Sequence, residues 1–134
     1  MTLNGTILLV DDEAHIRKYV GLIARQLGRI KLVEAANGEE AIAAFQLEKP
    51  ILVLLDVNMP HMDGIATLRR LKQLDPECKV VMLTSLANRQ TVEEALALGA
   101  ANYVRKDTTK EELARTLTET LQAVTEAGSE TPSP

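Results

Sequence analysis

Four short apolar runs of the sequence end in polar side chains that could do chemistry together. The residues are Asp11 and Asp12 after TILLV (6–10), Asp56 after ILVLL (51–55), Thr84 after KVVML (79–83), and Lys106 shortly after NYV (102–104). Each of them alone could be a helix cap, a turn residue or a solvated surface residue. Those separate explanations do not account for the set, which combines three carboxylates, one hydroxyl and one ammonium. We therefore treat the set as one candidate functional site.

The carboxylates of this set would suit a hard divalent cation. Three carboxylates brought together repel one another unless a cation joins them, and Mg²⁺ prefers oxygen ligands in an octahedron that keeps several waters. Asp56 would keep an oxygen that can attack phosphorus, because aspartate serves as a phosphoryl acceptor in covalent catalysis. The metal and Lys106 would neutralise the charge of the transferred group, and the Thr84 hydroxyl would donate a hydrogen bond to it. The residue types thus predict phosphoryl acceptance with Mg²⁺ as cofactor.

The apolar periodicity predicts the elements that would bring these residues together. Strands are expected at 6–10, 30–35, 51–55, 79–83 and 102–104, and helices at 14–27, 38–48, 64–74, 89–98 and 110–124. Alternating strands and helices predict an α/β fold with a parallel sheet, and continuous apolar strands indicate helices on both faces. In such sheets sites form past the carboxyl ends of the strands, near the point where the strand order reverses.

Composition and charge argue against several other classes of protein. The net charge of −4 disfavours direct nucleic-acid binding, which usually needs a basic surface. No apolar run approaches the ~20 residues of a membrane helix, and the N-terminus does not resemble a signal peptide. Cys78 is the only cysteine, which excludes an internal disulfide and fits a reducing compartment. We therefore expect a soluble, cytoplasmic protein without a membrane partner.

The chain length predicts one domain. A chain of 134 residues is long enough for one hydrophobic core and short for two. We predict this domain at 1–126 and a disordered tail or linker stub at 127–134, where the sequence becomes small, polar and proline-containing.

Four segments, in order and at similar separations, resemble the response-regulator receiver domains of two-component signalling. They are LLVDDE (8–13), LLDVNMPHMDG (54–64), VVMLTS (80–85) and LGAANYVRKD (98–107). The resemblance covers roughly residues 5–125 and implies a flavodoxin-like, doubly wound fold with five helices and a five-stranded parallel sheet in the order 2-1-3-4-5. It also implies a phosphorylation-activated switch, which is not an enzyme beyond its own phosphorylation and dephosphorylation.

The resemblance assigns the phosphorylation and metal residues. Asp56 would be the phosphoryl acceptor. Asp11 and Asp12 would form the acidic pocket that binds Mg²⁺, together with Asp56 and the backbone carbonyl of Asn58.

The resemblance also assigns a conformational switch and its partners. Thr84 and Lys106 would contact the phosphoryl group, and Tyr103 would turn inward as Thr84 moves. The surface of the fourth helix, fifth strand and fifth helix would then change for a downstream protein partner. A histidine kinase or histidine phosphotransfer protein would supply the phosphoryl group, and a phosphorylation-dependent homodimer remains open.

Two positions depart from the usual family pattern. Asp107 stands where most members have proline after the lysine, so we expect a trans Lys106–Asp107 bond, since a cis bond before a non-proline residue costs roughly 2.5–4 kcal/mol. Leu86 stands beside the implied path of hydrolytic water and cannot orient that water by hydrogen bonding. We predict slow to moderate self-dephosphorylation, slower than that of Leu86→Glu.

Three other functions compete with this prediction. A Mg²⁺-dependent phosphohydrolase with an aspartyl-phosphate intermediate would need a second aspartate where this chain has Asn58. A flavin- or nucleotide-binding module would need a Gly/Ser/Thr-rich loop after the first strand, where this chain has DDE (11–13). A degenerate receiver used as a phosphorylation-independent scaffold is the remaining alternative. The initiating methionine and the short tail favour a stand-alone regulator over a receiver cut from a longer DNA-binding protein.

Overall fold

The computed structural model describes residues 3–57, 63–84 and 89–129, with side chains described between residues 5 and 122 except at residue 89. The predicted positions Asn58 and Leu86 lie outside the described residues. Five strands alternate with five helices in the described ranges. They are β1 (Leu3–Val10), α1 (Ala14–Arg25), β2 (Gly28–Ala35), α2 (Gly38–Glu48), β3 (Leu52–Asp56), α3 (Gly64–Leu74), β4 (Val80–Thr84), α4 (Arg89–Ala97), β5 (Asn102–Arg105) and α5 (Lys110–Ser129).

The strands form one parallel sheet in the order β2-β1-β3-β4-β5. Val10 pairs with Leu55, and Thr84 pairs with Arg105, so the carboxyl ends of β1, β3, β4 and β5 reach the same edge. The order reverses between β1 and β3, which are neighbours in the sheet but are separated in the chain by β2. The predicted doubly wound, flavodoxin-like architecture is confirmed.

Two hydrophobic cores lie on opposite faces of the sheet. Val53 and Leu55 contribute to the core under α2, α3 and α4, whereas Leu52 and Leu54 contribute to the core under α1 and α5. All four side chains are fully buried, and a buried leucine of this kind contributes roughly 1.5–3 kcal/mol. Burial on both faces explains why β3 and β4 are apolar at every position before their last residue instead of at every second one.

Local capping interactions begin and end the helices. The Asn37 side chain accepts a hydrogen bond from Glu40 N at the start of α2, and Asp63 accepts one from Ala66 N at the start of α3. These bonds satisfy backbone donors that the first helical turn leaves free. After α4, Gly99 has a φ of +107°, a conformation that glycine adopts readily and that commonly follows the end of a helix.

Several predicted element limits were wrong by a few residues. Helix α1 ends at Arg25 rather than at residue 27, because the chain turns there and enters β2 at Gly28. Strands β3 and β4 each begin and end one residue later than predicted, since parallel pairing continues through Asp56 and Thr84.

The outer strands and the last helix also differ in length from the predictions. Strands β1 and β2 each run for eight residues, because they pair with each other from Leu3 and Gly28 onward. Helix α5 continues to Ser129, so 127–129 are helical where we expected a disordered tail. The division into a domain at 1–126 and a tail stays a prediction. Among the described residues, no helix is both long and apolar enough to cross a membrane.

Candidate functional site

The polar residues predicted from the sequence converge at the carboxyl edge of the sheet. Asp11 follows β1, Asp56 ends β3, Thr84 ends β4, and Lys106 follows β5. Asp11, Asp56 and Thr84 are 0%, 1% and 3% exposed. Burial of two carboxylates is costly unless charged or hydrogen-bonding partners compensate. The partners of these carboxylates therefore decide what the site can do.

The Lys106 ammonium lies at the centre of the site. Its Nζ is 2.7 Å from Asp11 Oδ2, 3.0 Å from Asp56 Oδ1 and 3.2 Å from Glu13 Oε1, and the lysine side chain is 8% exposed. The alternative of a solvated surface lysine is thereby excluded. Glu13 was missed by the sequence analysis, although its place directly after Asp11 and Asp12 was a signal.

The electrostatics of the site keep Lys106 charged. Burial alone would lower the pKa of Lys106, but hydrogen bonds and Coulomb attraction from Asp11 and Asp56 outweigh burial. The pKa of Lys106 is therefore raised above its ordinary value. The Lys106 side chain therefore stays protonated and places a positive charge beside the two buried carboxylates.

Three carboxylates form a cluster that could hold a metal ion. Asp11, Asp12 and Asp56 each offer an oxygen, and these oxygens all lie within 4.8 Å of one another. An all-oxygen donor set suits a hard cation such as Mg²⁺, which keeps several waters. Asp12 is exposed, which leaves room for those waters, and the N-cap of α1 is Glu13 rather than Asp12. The donor chemistry of the cluster therefore fits Mg²⁺.

The backbone on either side of Asp56 is fixed by close packing. Val57 N donates to Leu83 O at 2.9 Å, and Gly64 N donates to Val57 O at 2.9 Å. A Cβ at Gly64 would overlap the carbonyl oxygen of Asp56 and would lie 2.7 Å from Val57 Cα. Only glycine allows α3 to begin this close to the acidic site.

The predicted switch residues lie on neighbouring strands. Thr84 is the last residue of β4, and its carbonyl oxygen accepts a hydrogen bond from Lys106 N at 2.7 Å. Tyr103 pairs with Met82 in the sheet, and it is 42% exposed. The structure thus places the two residues on neighbouring strands, two register positions apart, with the Tyr103 side chain exposed.

The segment around Asp107 differs from the usual pattern without disturbing Lys106. The Arg105 guanidinium donates to both carboxylate oxygens of Asp107, at 3.0 and 2.9 Å. The described residues contain no cis peptide bond, so the predicted trans Lys106–Asp107 bond is confirmed. Asp107 therefore belongs to an exposed ion pair and not to the acidic pocket.

A doubly wound sheet with an acidic pocket and a buried lysine at its carboxyl edge defines a class of phosphorylation-activated signalling switches. Comparison with known proteins places the chain within that class. The family model "Response regulator receiver domain" matches residues 7–118. The chain belongs to this family.

Individual relatives include both short and long proteins. Chemotaxis protein CheY of Bacillus subtilis is 34% identical over 100 residues, which cover 75% of this chain and 83% of that protein. The uncharacterized transcriptional regulatory protein YhcZ of the same organism is 39% identical over 111 residues, which cover 82% of this chain but only 52% of YhcZ. The chain thus spans about half of that longer relative.

One solved structure with the same fold is a complex that contains BeF3 and Mg²⁺. It is the CheX-CheY-BeF3-Mg²⁺ complex from Borrelia burgdorferi, matched with a TM-score of 0.78 and 27% identity over 85% of this chain and 87% of that chain. Receiver domains are signalling switches rather than conventional enzymes, and they bind Mg²⁺ at an acidic pocket. They interact with kinases, phosphotransfer proteins and downstream partners.

Proposed function

We propose that this chain accepts a phosphoryl group on Asp56 from a histidine kinase or a histidine phosphotransfer protein. The observation that carries the proposal is the contact of one buried ammonium, that of Lys106, with both Asp56 and Asp11. This arrangement supplies positive charge at the carboxylate where a phosphoryl group would arrive. The remaining roles follow from that assignment.

The metal would be held by Asp11, Asp12 and Asp56, with the backbone carbonyl of Asn58 as a further ligand outside the described residues. The oxygen donors within 4.8 Å of one another support this assignment. When bound, Mg²⁺ would neutralise part of the charge on the phosphoryl group. Asp11 and Asp12 would help to hold the metal, and Lys106 would supply further positive charge beside Asp11 and Asp56.

In the transfer step, an Asp56 carboxylate oxygen forms a bond to phosphorus. The bond from phosphorus to the donor histidine nitrogen breaks, and the nitrogen keeps the electron pair. The Lys106 ammonium stabilises the charge on the phosphoryl oxygens. The Thr84 hydroxyl donates a hydrogen bond to one of these oxygens. Hydrolysis of the acyl phosphate by water returns Asp56 to its free carboxylate. The only reactions of the chain would then be the phosphorylation and dephosphorylation of its own Asp56.

The output would be a shift between two arrangements of Thr84 and Tyr103. Phosphorylation draws the Thr84 hydroxyl toward Asp56, and Tyr103 turns from its exposed position into the space that opens. Such a shift is driven by a local change of charge that favours one of two packings. The surface of α4, β5 and α5 would report it, including Gln90, Glu93 and Arg105, whereas the Arg89 side chain lies outside the described part of the structure.

The downstream partner would be a protein that binds this altered surface. A groove of about 520 Å³ between β5 and α5 is lined by Tyr103, Arg105, Asp107 and Arg115, among others, and so contains the proposed switch residue. A second phosphorylated copy of the chain is one such partner. We assign the protein to the cytoplasm, where kinases of this system act, without direct contact to nucleic acid or membrane.

The test is intact-mass spectrometry after incubation with a small-molecule phosphodonor and Mg²⁺. We expect the mass of one phosphoryl group on the wild type, and no gain for Asp56→Asn or for the wild type in EDTA. Asp75→Asn is the matched control, because Asp75 is an exposed aspartate beyond α3 and the amide oxygen keeps its bond from Glu77 N. No gain by the wild type under any condition would replace this proposal with a phosphorylation-independent scaffold.

A further inference from the structure

Arg17 connects three elements beside the acidic pocket. It lies on α1, and its side chain is 19% exposed. Its Nη1 donates a 2.6 Å hydrogen bond to the backbone carbonyl oxygen of Asp11, which follows β1. Its Nε donates a 3.0 Å hydrogen bond to Glu34 Oε1, on β2. The guanidinium thus ties the backbone of a pocket residue to two neighbouring elements.

Three polar groups of Asp11 have a hydrogen-bond partner, whereas Oδ2 has an ion-pair partner but accepts no hydrogen bond from the described residues. Asp11 N donates to Ala35 O at 3.1 Å, and Asp11 Oδ1 accepts from Glu13 N at 2.9 Å. Asp11 Oδ2 is paired with Lys106, and the carbonyl oxygen is held by Arg17. The direction of the Asp11 carboxylate therefore depends on the β1–α1 turn, and Arg17 is the only side chain shown holding that turn's carbonyl among the described residues.

We infer that Arg17 is a positioning residue for the metal site, which acts through the Asp11 backbone and not by touching metal or phosphoryl group. The inference rests on the proposed function, because it assigns Asp11 to the Mg²⁺ pocket. Loss of a partner that orients a metal ligand commonly weakens metal binding by about 10–100-fold. Arg17 holds the turn in the orientation that the carboxylate needs before the metal arrives.

Arg17 needs the planar, multi-donor geometry of its guanidinium, and not the positive charge alone, to hold the turn at Asp11. Arginine presents several donors in one rigid plane, so Arg17 can bond Asp11 O and Glu34 Oε1 at the same time. A lysine ammonium keeps the charge, but all its donors are on one nitrogen, so it lacks the two separate nitrogens with which Arg17 reaches Asp11 O and Glu34 Oε1. Arg17→Lys therefore separates geometry from charge, whereas Arg17→Ala would also remove a cation that competes electrostatically with the metal.

Glu34 orients Arg17 from the side away from the pocket. Its carboxylate is 45% exposed, and its pairing with Arg17 is thus worth little to stability by itself. Any effect of Glu34 on metal affinity must pass through Arg17, because Glu34 shows no other bond to the pocket among the described contacts. This dependence gives a second, independent test.

The primary experiment measures Mn²⁺ binding by electron paramagnetic resonance, with Mg²⁺ as a competitor, well below the unfolding temperature. We expect Arg17→Lys to weaken binding about 10-fold, a typical loss for partners that orient ligands. Arg25→Lys is the matched control, because Arg25 is an exposed arginine two turns further along the same helix. Its affinity should equal that of the wild type.

Phosphorylation kinetics distinguish positioning from a merely structural role. The Mg²⁺ concentration that gives half the maximal rate should rise in Arg17→Lys by the same factor as the Mn²⁺ dissociation constant. The rate at saturating Mg²⁺ should stay within about twofold of the wild type, since the reacting groups are unchanged. A variant that loses thermal stability without any change in metal affinity would overturn the inference.

Glu34→Ala should weaken Mn²⁺ binding in the wild-type background and have no further effect in the Arg17→Lys background. Additive losses would show that Glu34 acts independently, against the inference. Failure of the inference about Arg17 can be distinguished from failure of the proposed function. Wild-type affinity in both Arg17→Lys and Glu34→Ala would overturn the role of Arg17 and leave the proposed function standing, whereas absence of Mn²⁺ binding by the wild type would overturn the proposed function itself.

Discussion

Gly64 and Asp56 meet backbone to backbone at the start of α3. A Cβ added to Gly64 would overlap the Asp56 carbonyl oxygen, and the nearest atoms around it are all backbone atoms of Asp56 and Val57. Backbone atoms cannot move away from an added Cβ as the end of a flexible side chain can. The missing side chain of Gly64 therefore keeps the acceptor residue in its place.

Gly64→Ala should displace the Asp56 backbone and impair the site. We expect a loss of about 1–3 kcal/mol in the free energy of unfolding from overpacking. The phosphorylation rate should fall about 10-fold or more, because small misplacements of reacting groups are costly. Urea unfolding and the phosphodonor assay measure the two effects.

Gly21→Ala is the control for this substitution. Its added Cβ would meet Leu32 Cδ2 at 2.6 Å, which belongs to a side chain that can move. Its phosphorylation rate should therefore remain near that of the wild type. Equal rates for Gly64→Ala and Gly21→Ala would contradict the backbone argument.

Lys106→Met should destabilise the protein most when no divalent cation is present. The substitution leaves Asp11, Asp56 and Glu13 without the ammonium that they share, and breaking a buried ion pair costs about 3 kcal/mol. Mg²⁺ should restore part of the loss, because a metal bound only by the folded state stabilises it.

Urea unfolding in EDTA and in Mg²⁺ measures this difference for Lys106→Met, the wild type and Lys110→Met, whose lysine is exposed. We expect Mg²⁺ to stabilise Lys106→Met more than the wild type, and the Lys110→Met variant to behave as the wild type does. The same increment of stability in all three proteins would show that Lys106 and the metal do not share the carboxylates.

Tyr103 should become less accessible when the site is occupied by a phosphoryl group. The chain has no tryptophan, and its two tyrosines are Tyr19 and Tyr103. In Tyr19→Phe, the remaining tyrosine fluorescence reports Tyr103 alone. Acrylamide quenching should fall on addition of Mg²⁺ and beryllium fluoride, because the ring turns inward. Tyr103→Phe should show no such change, and unchanged quenching in Tyr19→Phe would refute the rotation.

Cys78 should be slow to react with thiol reagents in the folded protein. It is 7% exposed, and burial raises the pKa of its thiol above the ordinary value. Because the thiol pKa is raised in the folded protein, the folded protein keeps the thiol proton up to a higher pH than the unfolded protein does. The resulting stability is present below the unfolded thiol pKa of about 8.5 and is lost as pH rises through the folded value.

Two measurements check Cys78. Iodoacetamide labelling at neutral pH should be slow and should accelerate on unfolding in urea. The stability difference between the wild type and Cys78→Ala should shrink as pH rises above the unfolded thiol pKa. Fast labelling of the folded protein, or a difference independent of pH, would contradict the burial of this thiol.

Asp107→Ala should have little effect on stability or phosphorylation. The ion pair of Asp107 with Arg105 joins side chains that are 63% and 48% exposed, and solvent screens such pairs. We expect the free energy of unfolding to change by less than about 1 kcal/mol, with a smaller change at high salt. A large loss of phosphorylation would mean that this unusual residue helps to place Lys106 after all.

The order of elements and most site residues could be predicted from the sequence. Apolar runs of strand length, alternating with amphipathic helices, are local patterns, and they predicted the five strands and five helices found in the described ranges. The polar residues at the strand ends predicted Asp11, Asp56, Thr84 and Lys106 as one set, because parallel strands bring their carboxyl ends together. The roles of these residues stay predictions until the phosphodonor assay is made.

The tertiary structure alone decided which charges meet and how closely. Glu13 and Lys106 are 93 residues apart in the chain, and Arg17 and Glu34 are 17 apart, yet both pairs are in contact. Hydrophobic periodicity says which face of an element is buried, but it does not say which exposed side chains lie opposite each other. Those contacts depend on the register of the strands and the placement of α1 over the sheet, which arise only when the whole core is packed.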